Sequence, residues 1–148
     1  MHWQNSIQLS HALEDCFNTI QLQRMTGIPI INPQLKVQAV DFQAYQQGWI
    51  GVLITPWFMN IIYLSDELLT VGEKISHQFP AGQFEFTIAY EINLGFYQNC
   101  SLYSPMFEFT EQDTAIKTAQ SALQALLKLP EKLSISRRDL LRGKFTKG

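Results

Sequence analysis

Cysteine, histidine and charge are all scarce in this chain. Its 148 residues hold two Cys and three His, and only 16% are charged, against about 25% in an ordinary globular domain. Cys16 and Cys100 lie far apart with no Cys-x-x-Cys anywhere, which argues against a disulfide or thiolate-cluster framework and predicts two reduced, buried thiols. His2, His11 and His77 are likewise scattered, so no metal site at ligand spacing is expected. No apolar run reaches the roughly 18 residues of a membrane span. The best, residues 49–64, is broken by Gly51, Pro56 and Asn60. The first residues, Met1-His2-Trp3-Gln4-Asn5, carry no basic region ahead of an apolar stretch, so the expected compartment is the cytoplasm.

Hydrophobic residues are plentiful, at 46%, with 12% aromatic. A chain of this length can bury roughly 68 to 70% of its unfolded surface, so one core suffices. The charges that exist are unevenly placed. Residues 1–130 carry five Lys and Arg against eleven acids, a net of −6, whereas residues 131–148 carry six against two, a net of +4. The division expected is an α+β domain over 1–130 and a basic tail over 131–148. An acidic body argues against a nucleic-acid partner.

The pattern along the chain predicts a helix first. Leu9, Leu13, Cys16, Phe17 and Ile20 recur at spacings of three and four through residues 7–24, with Gly27 as a C-cap. Residues 35–42 and 49–55 read as two strands of a hairpin with a longer loop. The segment after Pro56 loses its period of two and suits a helical turn or tight loop. Residues 65–82 read as loop, and residues 84–92 alternate most cleanly of all. The turn Asn93-Leu94-Gly95 returns the chain through residues 96–103. Thr110 caps a second helix running to about Lys128, with Ile116, Ala119, Leu123, Leu126 and Leu127 on its inner face. The expected fold is α+β: an antiparallel sheet of about four to five strands, flanked by an N-terminal and a C-terminal helix on one face.

The densest aromatic stretch surrounds one Thr-Pro turn: Trp49, Thr55, Pro56, Trp57, Phe58 and Met59. Such residues fill cores, and they also make interface hot spots. The expectation is that the turn displays Trp57, Phe58 and Met59 as a patch for a partner protein.

Three strings carry a resemblance. Trp-x-Gly-x-x-Ile-Thr-Pro-Trp at 49–57, Phe-Pro-x-Gly-x-Phe-x-Phe-Thr at 79–87 and Cys-Ser-Leu-x-Ser-Pro-Met at 100–106, in this order and spacing, resemble the HybE-type NiFe-hydrogenase assembly chaperones. The resemblance implies a small cytoplasmic chaperone without a cofactor, not an enzyme. Its implied partners are precursors of the hydrogenase large or small subunit, handled during maturation and twin-arginine export. Some relatives carry a rubredoxin-like extension, and without a Cys-x-x-Cys pair its iron-binding role is not carried over. In the tail, Ser136-Arg137-Arg138-Asp139-Leu140-Leu141-Arg142 resembles a twin-arginine signal string, which suggests that Arg137 and Arg138 mimic a client's signal peptide.

Catalytic alternatives rest on less. Glu85 and Glu91 share a strand face but stand roughly 20 Å apart at about 3.3 Å per residue, too far to flank one bond. Cys100, Ser101 and Ser104 have no neighbouring base. A cofactor-free enzyme or ligand-binding domain using Glu85, Glu91 and Tyr103 is the other reading.

Overall fold

The computed structural model of the chain describes residues 3–128. Helix α1 (Ser6–Arg24) starts where the Asn5 side chain accepts from the Gln8 amide, and it buries Leu9, Leu13, Phe17 and Ile20 along one stripe. Six strands follow: β1 (Gln38–Tyr45), β2 (Gly48–Ile54), β3 (Met59–Ser65), β4 (Lys74–Phe79), β5 (Gly82–Glu91) and β6 (Gly95–Tyr103). Helix α2 (Gln112–Leu127) completes the order. The strands form one antiparallel sheet in the order β1-β2-β3-β6-β5-β4. An α+β domain is therefore observed, with six strands where the sequence predicted four to five.

Both missed strands have a physical explanation. β3 lies in the middle of the sheet, and five of its seven residues are buried. A strand covered on both faces loses its period of two and reads as one apolar run. β4 is an edge strand with Lys74, Ser76 and Gln78 exposed, and this polar outer row hid the inward Ile75, His77 and Phe79. The first hairpin is also tighter than expected, since Tyr45 pairs with Gly48 across Gln46 and Gln47 alone.

The helices lie on opposite faces, which corrects the expectation of a shared one. Ile50, Val52 and Ile54 of β2 join Met59, Ile61 and Tyr63 of β3 in a core with Ala115, Ala119, Leu123 and Leu126 of α2. Leu53, Ile62 and Leu64 point the other way and pack with Leu9, Leu13, Phe17 and Ile20 of α1. A bulge in β1 serves both cores. Asp41 sits at φ +53° where the register with β2 shifts, and the extra residue sends Val40 to the α2 side and Phe42 to the α1 side.

The ends depart slightly from expectation. α2 is capped at Glu111, not Thr110, without a side-chain hydrogen bond, while Ile116 and Leu127 only flank its buried face. Ile92 falls beyond β5 and is 81% exposed. Cys16 and Cys100 are free and half-buried rather than buried.

The sheet curls around the α2 side until its two edge strands nearly meet. The ring of Tyr45 at the end of β1 stacks on Phe79 at the end of β4, with centroids 5.7 Å apart and planes at 24°. The Ala81 amide in the β4–β5 turn donates to the Leu126 carbonyl at the end of α2, 3.3 Å away. An open seam is left between β1 and β4.

Candidate functional site: an aromatic seam and a buried turn

The Thr-Pro turn is held from within. The Thr55 amide donates to the Phe58 carbonyl at 2.8 Å. The Thr55 hydroxyl accepts from the Trp57 amide at 3.1 Å and the Phe58 amide at 2.9 Å. The Asn32 amide then donates to the Pro56 carbonyl at 2.9 Å. Asn32 also donates from Nδ2 to the carbonyls of Met106 and Phe109, at 2.9 and 2.8 Å. The Thr-Pro and Ser-Pro-Met strings are thus joined through one buried asparagine.

This geometry changes what the turn can display. Thr55 and Met59 have no exposed surface, Trp57 is 8% exposed and Pro56 is buried. Trp57 is sealed against the α1 core, with Phe58 edge-on to both Trp57 and Phe17. Only Trp49 and Phe58 of the expected patch keep half-exposed rings. The reason is topological: a turn between two central strands is covered by α1 and by the loop carrying Asn32. Arg137 and Arg138 lie outside the described residues.

The seam between β1 and β4 presents what the turn does not. A cleft of about 250 Å³ runs between Tyr45 and Gln46 on one side and Ser76, His77 and Phe79 on the other, with Tyr63 at its back. It opens into a wider, shallower recess of about 890 Å³ rimmed by Asp66 and Glu67. The walls are aromatic: His77 stands 5.3 Å from Tyr63 and 5.2 Å, edge-on, from Phe86. Away from the opening, the His77 Nε2–H donates to Gln98 Oε1 over 2.6 Å. Gln98 is fully buried and its Nε2 has no partner. Burial raises the Tyr63 hydroxyl above its ordinary pKa, and nearby Glu67 adds to the rise.

Sequence reasoning missed this seam because its residues come from four strands with no shared motif. Two signals were present. Gln98 interrupts an otherwise apolar inward row of β6, and His77 alternates with Ile75 and Phe79.

The residues proposed for catalysis are not assembled. Glu85 faces Lys74 at 3.9 Å, Glu91 pairs with Arg24 of α1 at 2.7 Å, and Tyr103 packs edge-on against Phe109. Burial, first, and Glu91, second, push the Cys16 thiol up to about 11, so it is a poor nucleophile near neutrality. Burial also raises Cys100. Among the described residues, no group of three or more His, Cys, Asp or Glu could hold a metal ion.

Comparison with known proteins gives this fold its relatives. Residues 8–143 match the family model for "NiFe-hydrogenase assembly, chaperone, HybE". The chain belongs to the HybE family. Hydrogenase expression/formation protein HupJ of Bradyrhizobium diazoefficiens is 36% identical, over 96% of this chain and 92% of that protein. Protein HoxT of Cupriavidus necator is 39% identical, over 80% and 75%. The solution structure of HybE from Escherichia coli superposes with a TM-score of 0.69 at 26% identity, covering 86% of this chain and 81% of that one. As a HybE-family member, the chain is a hydrogenase assembly chaperone. Among the described residues of this HybE-family chain, no helix is long and apolar enough to cross a membrane.

Proposed function

We propose that this chaperone works by holding precursor subunits of a NiFe hydrogenase in the cytoplasm, without a cofactor and without breaking a bond. The client it receives is the large- or small-subunit precursor, the latter still carrying its twin-arginine signal peptide. One observation carries the reading: the seam between β1 and β4 combines aromatic walls with an acidic rim. Guanidinium groups stack on aromatic faces and pair with carboxylates. A basic, arginine-bearing peptide is the ligand that uses both. The family's role in hydrogenase assembly supplies the client class. Phe58 and Trp49, half-exposed on other parts of the surface, give further contact area for the same client.

The test is to purify the tagged chaperone from its native cells and identify what accompanies it. Recovery of a hydrogenase precursor, lost on replacing Glu67 by Lys, supports the reading. Recovery of mature subunits only, or of precursor undiminished by that exchange, overturns it.

A further inference from the structure

We infer that the end of the molecule built around Asn32 is a second docking surface, and that its occupant is an apolar, uncharged stretch of the subunit precursor's own body rather than its signal peptide. This rests on the reading of the chain as a holder of precursors, and not on the seam. Three loops meet at that end. Asn32, between α1 and β1, donates its amide to Pro56 of the β2–β3 turn and its Nδ2 to Met106 and Phe109, between β6 and α2. Its Oδ1 accepts from the Gln34 amide and its carbonyl from the Leu35 amide, so every polar group of this buried residue is used.

Each loop turns an apolar side chain outward near that meeting point. Phe107 stands at the tip of the turn that the Phe109 amide closes on the Met106 carbonyl at 3.1 Å, and it is 53% exposed. Ile30 stands at the tip of the turn that the Ile31 amide closes on the Ile28 carbonyl at 3.3 Å, and both Ile28 and Ile30 are exposed. Phe58, next to the Thr-Pro turn, is half-exposed. Side chains carried on turns that are already closed lose little freedom when a partner covers them.

The chemistry of this surface selects its occupant. The three loops fall in stretches 25–35, 42–65 and 92–107, none of which holds a charged residue, and Lys36 and Glu108 border them. A cationic segment would lose its water there without a partner on these stretches, so the basic peptide suited to the seam is excluded. A second copy would bring together two bodies that each carry five Lys and Arg against eleven acids over residues 1–130, and these repel. A precursor that is not yet packed exposes apolar surface of the required kind, and the family's role in hydrogenase assembly supplies it. The two surfaces lie at opposite ends of β2. Gly48 pairs with Tyr45 of the seam, and from Gly48 to Thr55 the chain spans about 23 Å at about 3.3 Å per residue. A client that reaches both gains from effective concentration.

The test uses the full chain in its native cells. Benzoylphenylalanine in place of Phe107 should photo-crosslink to the mature region of a hydrogenase subunit precursor, located by mass spectrometry of the joined peptides. The same group in place of Leu22, exposed on α1, should not. Ile30→Ser with Phe107→Ser should lower recovery of the small-subunit precursor at least about tenfold, whether or not that precursor is made with its signal peptide, at an unchanged melting temperature. Glu67→Lys should lower recovery only of the form that keeps the signal peptide. Crosslinks to a second copy, to the signal peptide alone or to no hydrogenase subunit overturn the inference, as does undiminished recovery by the double variant. Should that variant melt lower, the crosslink from position 107, which keeps an aromatic ring in place, decides. A crosslink at 107 beside an inert Glu67→Lys overturns the seam alone, whereas failure to recover any precursor overturns the reading that both surfaces share.

Discussion

The Thr55 hydroxyl accepts the Phe58 amide at 2.9 Å and fixes the turn on which the centre of the sheet is hung. It is fully buried and accepts the Trp57 amide as well. Thr55→Val keeps the shape and removes the acceptor, leaving two backbone donors short. A loss of about 1–3 kcal/mol is expected, read as a lower urea midpoint at unchanged slope. An unchanged midpoint would show that water replaces the hydroxyl.

Gly51 is required by the ring of Phe42. A Cβ at this position would meet Phe42 Cγ at 2.4 Å, the root of a ring fixed by the β1 bulge. Gly51→Ala should cost about 1–3 kcal/mol through overpacking. Pairing it with Phe42→Leu should recover part of the loss, measured as a double-mutant cycle.

Trp57 and Phe58 separate core from surface. Trp57 is sealed in the α1 core, so Trp57→Ala should cost about 3–5 kcal/mol and lower precursor binding only through unfolding. Phe58 is half-exposed, and Phe58→Ala should weaken precursor binding more than it lowers the melting temperature. Equal effects of the two changes on binding, corrected for folded fraction, would place Phe58 in the core role too.

The Cys16 thiol, pushed up to about 11 by burial and Glu91, should react with iodoacetamide far more slowly at pH 8 than an unfolded-chain cysteine. The sign of the linked stability effect follows. A thiol raised on folding favours the folded state below the unfolded pKa, about 8.5, and this contribution is lost as pH rises toward 11. Comparing unfolding midpoints at pH 8 and pH 10 for the chain and for Cys16→Ser reads it directly: the difference between them should shrink or reverse on the alkaline side.

Local chemistry was legible where one face of an element meets water. The stripe of Leu9, Leu13, Phe17 and Ile20 declared α1, and the alternation from Phe84 to Tyr90 declared β5. Legibility failed where an element is buried on both faces, as in β3, or presents a polar outer row, as in β4. The seam was invisible for another reason. His77 and Gln98 lie 21 residues apart on strands separated by β5, and only the curl of the sheet brings their side chains to 2.6 Å.

By itself, the order of residues determined one α+β unit with a terminal helix at each end, an acidic body ahead of a basic tail, and three family strings in register. Those features depend on local periodicity, composition and spacing, which survive in one dimension. Tertiary structure alone decided that the helices take opposite faces, that Trp57 and Met59 are sealed inside, and that Tyr45 meets Phe79 across an open seam. Each of these follows from sheet order and curvature, and pairing between distant strands is set by the summed packing of both cores rather than by any one segment.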